Sequence, residues 1–70
     1  MPQRVIHAAL SDRPAVLIYA DDSVRGYQHT GSTWREINPH EIIQGATILA
    51  ARDYASRWPG LKLPGYSMAA

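Results

Sequence analysis

Cysteine is absent from this 70-residue chain, which excludes disulfide staples, thiolate zinc sites and thiol chemistry. Phenylalanine is absent too, so any core that needs aromatic bulk must draw on two tryptophans and four tyrosines. Charge of one sign is also missing. Seven basic residues against six acidic ones leave a net charge of +1, and the basic residues are scattered, with Lys62 the only lysine. A phosphate-binding surface concentrates positive charge, and a nucleic-acid mimic needs an acidic excess; this balance favours neither. No stretch approaches the roughly 20 apolar residues of a membrane span. Met1–His7 lacks the apolar core of a secretion signal, so a cytoplasmic location is the expectation.

Catalytic and ligand-binding signatures are missing as well. His40-Glu41-Ile42-Ile43-Gln44 matches the zinc-protease motif at two positions, but Gln44 stands where the second histidine must be. The histidines at 7, 29 and 40 have no metal-ligand spacing. None of Ser11, Ser23, Ser32 and Ser67 is flanked as Gly-x-Ser-x-Gly, the pattern of a nucleophile elbow. Asp21-Asp22 lacks calcium-loop spacing, and Gly26, Gly31 and Gly45 are isolated, unlike the glycines of phosphate loops. The expectation is a protein without catalytic residues, metal or cofactor. The least favoured class is a small enzyme working through His7, His29 or His40.

What is present is one domain over 1–70, since a chain of this size buries only about 60% of its unfolded surface and has no room for two cores. Asn38-Pro39-His40-Glu41 is a helix start: Asn38 can accept a first-turn N–H, Pro39 suits the first helical position, and Glu41 completes a capping box. Pro59-Gly60 is a stop. Between them Ile42, Ile43, Ala46, Leu49, Ala50, Tyr54 and Trp58 recur at helical spacing, which predicts one helix over 38–58, with Gly45 lowering propensity but leaving the pattern intact. Residues 59–70 form an extended tail.

The first half, 3–37, reads mainly as β hairpins. Residues 3–10 fit a strand, with a short helix as the alternative. Residues 15–20 hold the most apolar run, Ala15–Tyr19, and fit a central strand. Residues 24–29 and 32–37 read as a hairpin around Thr30-Gly31, a register that sets Tyr27 opposite Trp34 and Arg25 opposite Glu36. The predicted fold is α+β: an antiparallel three- or four-stranded meander with one long C-terminal helix packed on one face.

Two clusters stand out as binding candidates. Asp53, Tyr54, Arg57 and Trp58 fall on the last turns of the predicted helix, and Tyr, Arg and Trp are the types most enriched in protein-binding hot spots. An Asp53–Arg57 pair at i,i+4 and packing of Tyr54 and Trp58 under the tail explain the same residues structurally. Arg25, Tyr27, Trp34 and Arg35 form the second cluster, which suits stacking of single-stranded nucleic acid, although facing aromatics in a sheet usually belong to the core. The leading expectation is a non-catalytic protein-interaction module acting as inhibitor, adaptor or subunit of a larger assembly. Mobile-element or phage-encoded antagonists of host proteins belong to this size class, though no motif points to that origin. Single-stranded nucleic-acid binding is the alternative. A homo-oligomer, built through an Ile48/Ala51/Ala55 surface or an open strand edge, is the third.

Overall fold

Five consecutive buried residues, Pro14 to Ile18, cannot belong to a strand with one wet face; both faces of that strand must be covered. The computed structural model, which describes residues 3–63, shows how this is done. The elements run β1 Arg4–Leu10, β2 Arg13–Ala20, β3 Ser23–His29, β4 Trp34–Ile37, α1 Pro39–Gly45, β5 Thr47–Leu49 and α2 Ala51–Arg57. The strands form one antiparallel sheet of five, not the predicted three or four, in the order β4-β3-β2-β1-β5. One short helix covers each face.

The predicted single helix over 38–58 is therefore wrong. Its two ends are real but belong to different helices. Asn38 caps α1, its Oδ1 accepting the His40 N–H at 2.9 Å with Pro39 in the first turn. Trp58 is the C-cap of α2, and Gly60 turns the chain at φ 79°. Between them the helix breaks at Ala46, which is extended at φ −92° and ψ 157°. Glycine at the end of α1 weakens the helix, and Thr47-Ile48-Leu49 suits a strand better. The unpaired edge of β1 then receives β5, with Ala8 opposite Ile48. The predicted Ile48/Ala51/Ala55 helical surface is consequently split between β5 and α2.

The sheet sorts its side chains by parity. Ala8, Ala15 and Leu17 lie on one face with Ile42 of α1, flanked by Ile6, Leu10, Val24, Ile37 and Ala46. Val16 and Ile18 lie on the other with Tyr54 of α2, flanked by Val5, Tyr27, Trp34, Leu49, Trp58, Leu61 and Leu63. Ile42 is fully buried, a contribution of about 1.5–3 kcal/mol by apolar transfer. Its seat is Gly26: a Cβ there would stand 2.9 Å from Pro39 Cα and 3.0 Å from Ile42 Cδ1.

The N-terminal segment is a strand, not a helix. It meets β2 through the two-residue loop Ser11-Asp12, both at positive φ, the signature of a type I′ turn. The β3–β4 loop is longer than predicted. His29 pairs with Trp34 and Tyr27 with Glu36, so residues 30–33 form the loop, closed by the Thr30 N–H on the Thr33 carbonyl at 2.9 Å. The register is shifted by two residues from the predicted one, which keeps Tyr27 and Trp34 on one face but no longer opposite each other. Of the predicted tail 59–70, residues 64–70 lie outside the described residues.

Candidate functional site

An open groove of about 690 Å³ lies on the α2 side of the sheet. Three chain segments meet there. Asp12 and Arg13 come from the β1–β2 loop and the start of β2, His29 from the end of β3, and Arg57, Trp58 and Leu61 from the end of α2 and the chain beyond it. The tight β1–β2 loop holds Asp12 at φ 62° and presents its carboxylate to the groove rim.

Arg57 is the hinge of the arrangement. Its guanidinium donates to Asp12 Oδ1 at 3.0 Å and lies over the Trp58 ring, 4.8 Å from the centroid. The ion pair is solvent-exposed, with 44% of the Arg57 side chain and 93% of the Asp12 side chain accessible, so it contributes at most about 1 kcal/mol. Trp58 is half-buried and rests edge-on against Tyr54 at 5.2 Å. One rim of the groove thus offers an accessible cation backed by an indole ring. His29 also lines the groove, its Nδ1 accepting the Gly31 N–H at 3.2 Å.

Behind this rim Tyr54 is 5% exposed and stacks at 56° against His7, with centroids 4.7 Å apart. Burial pushes the Tyr54 hydroxyl up to about 12 and lowers the His7 imidazole below its usual 6.5. The Tyr54 hydroxyl is buried without a hydrogen-bond partner among the described residues. Burial favours the neutral form of each.

The first predicted cluster is thus only half assembled. Arg57 and Trp58 come together on the groove, Tyr54 is core beneath them, and Asp53 is exposed in the first turn of α2, away from the groove lining. The expected Asp53–Arg57 pair gives way to Asp12, which lies 45 residues from Arg57 in sequence. No spacing rule reaches across that separation, so Asp12, Arg13 and His29 carried no sequence signal for this site.

The second predicted cluster is divided. Tyr27 and Trp34 are half-buried in the α2-side core, and the Trp34 Nε1–H donates to the Lys62 carbonyl. Arg25 is exposed on that same face, beside a smaller hollow of about 200 Å³. Arg35 pairs with Gln28 and points to the opposite face. The three histidines are also apart: His7 packs against Tyr54, His29 against Trp34, and His40 is exposed in the first turn of α1. Among the described residues no group of His, Asp and Glu side chains is placed to hold a metal ion, and no helix is long and apolar enough to cross a membrane. No family model matches the chain, and no curated protein and no solved structure matches it.

Proposed function

We propose that this chain is a non-catalytic protein-interaction module of the cytoplasm, acting as inhibitor, adaptor or subunit of a larger assembly and binding its partner through the Arg57–Trp58 groove. The observation that supports this reading best is the Arg57 guanidinium lying over the Trp58 ring at the rim of the 690 Å³ groove. Arginine and tryptophan are the residue types that most often dominate binding energy at protein interfaces. Arg13, Arg57 and the apolar surface of Pro14, Trp58 and Leu61 suit a partner segment that sets a carboxylate beside an apolar side chain. Asp12 holds the place of that carboxylate in the free protein.

The test is affinity capture from cell lysate, with and without nuclease, using the parent chain, an Arg13→Glu/Arg57→Glu variant and an Arg25→Glu/Arg35→Glu variant. All four residues are exposed, so both variants should fold. A protein partner retained through nuclease, lost with the groove variant and kept by the other, is the expected result. Recovery only of nuclease-sensitive material, lost with Arg25→Glu/Arg35→Glu, would overturn the reading in favour of single-stranded nucleic acid.

A further inference from the structure

The sheet has two edges, and only one is guarded. At the β4 edge Arg35 and Glu36 place charge on adjacent positions, a common protection against strand addition. At the β5 edge there is none: residues 42–51 contain no charged side chain, and Ile48 is 56% exposed.

The backbone groups free at that edge follow from the register. In a type I′ hairpin the residues flanking the loop are hydrogen-bonded to each other, so Leu10 and Arg13 form such a pair. Alternate residues of β1 then face alternate neighbours: Ile6, Ala8 and Leu10 bond to β2, whereas His7 and Ala9 turn to β5. Leu49 and Thr47, their partners, are bonded inward. Ile48, opposite Ala8, directs its N–H and C=O outward.

Ala46 and Ala50 flank β5 and are both extended. Carrying the alternation one residue each way turns them outward with Ile48. Each has already spent one group: the Ala46 N–H donates to Ile42, and the Ala50 carbonyl accepts from Tyr54, both at 3.0 Å. Among the described residues, what remains unpaired is the Ala46 carbonyl, both groups of Ile48 and the Ala50 N–H. This row is its own complement.

We propose that β5 pairs antiparallel with β5 of a second copy of this chain, about a two-fold axis at Ile48. Ile48 exchanges two hydrogen bonds with its symmetry mate, and each Ala50 N–H donates to the other copy's Ala46 carbonyl. The groups already engaged in α1 and α2 are those this pairing leaves unused. Because the edge carries no charge, two identical copies meet there without like-charge opposition. The two Ile48 side chains then lie side by side on the α1 face, where Ile43 is also 53% exposed. This surface is separate from the groove, and the proposal does not depend on it.

Sedimentation velocity of the full chain, from micromolar to millimolar concentration, should show mass rising from one chain to two. Ile48→Lys and Ile48→Pro should remain single chains throughout, with unchanged circular dichroism, while Ile43→Lys still pairs. Because Ile48 is exposed on a strand edge, the lysine variant keeps the test valid if the proline variant does not fold. The amide protons of Ile48 and Ala50 should exchange slowly only at concentrations where the dimer forms. A parent chain that stays single, a dimer that survives Ile48→Lys, or association abolished by Ile43→Lys but not by Ile48→Pro would overturn the proposal.

Discussion

Replacing Gly26 with alanine asks where α1 sits. Gly26 lies in the middle of β3, between Leu17 of β2 and Ile37 of β4. The added Cβ would meet Pro39 Cα at 2.9 Å, Ile42 Cδ1 at 3.0 Å and the Ile37 carbonyl oxygen at 3.3 Å. The Ile42 methyl can rotate aside; the Pro39 backbone cannot, so α1 must lift from the sheet. Overpacking of this kind costs about 1–3 kcal/mol, against a gain of about 0.5–1 kcal/mol from replacing glycine within a strand. The difference spans roughly 0–2.5 kcal/mol, and because the closest contact is to backbone the net loss should be about 1–2 kcal/mol, or a fall in melting temperature of roughly 4–16 °C for a domain of this size. Urea unfolding followed by tryptophan fluorescence reads it directly. In an Ile42→Val background, which lacks the Cδ1 methyl, the same substitution should cost less, because the two sites share one contact. A Gly26→Ala chain as stable as the parent would refute the close seating of α1 on β3.

Three further outcomes follow from the same packing. Tyr54→Phe removes a buried hydroxyl with no partner among the described residues and should raise stability by about 1 kcal/mol in chemical unfolding. The hydroxyl is raised to about 12 in the folded chain against 10.0 in its ordinary state, so its contribution is complete below pH 10 and lost as pH rises toward 12; Tyr54→Phe should remove that share of the alkaline loss. His7 is lowered from 6.5 by burial, so the folded state favours the neutral ring, its contribution is present above pH 6.5, and stability should fall on acidification below that value. An NMR titration placing the His7 midpoint above 6.5 would contradict this. Asn38→Ala removes the α1 cap and should cost about 0.5–2 kcal/mol in thermal unfolding, whereas Asn38→Asp should cost little.

The parts of the fold that could be read from sequence were those set by local chemistry. Asn38-Pro39 starts a helix because the cap and the fixed proline φ act within one turn, and Pro59-Gly60 ends one for equally local reasons. The break between α1 and α2 was not legible, because Ile42, Ala46, Leu49, Ala50, Tyr54 and Trp58 satisfy a helical stripe whether or not the helix is continuous. What decides the matter is non-local: the free edge of β1 bonds to residues 47–49, and a sheet apolar on both faces needs a helix on each. The buried run Pro14–Ile18 carried that second fact, since a strand covered on one side alternates. The groove was half legible. Arg57 and Trp58 stood out by residue type at a helix end, whereas Asp12 and His29 join them only through the hairpin register.

The central claim is that the chain crosses from one face of the sheet to the other through β5, which creates both the α2 groove and the open edge. Backbone NMR tests it most directly. The account predicts extended Cα shifts over residues 46–50 between two short helical segments, with a strong Hα–Hα cross-peak between Ala8 and Ile48, the non-hydrogen-bonded pair of the β1–β5 ladder. Unbroken helical shifts from residue 39 to 57, without that cross-peak, would contradict it.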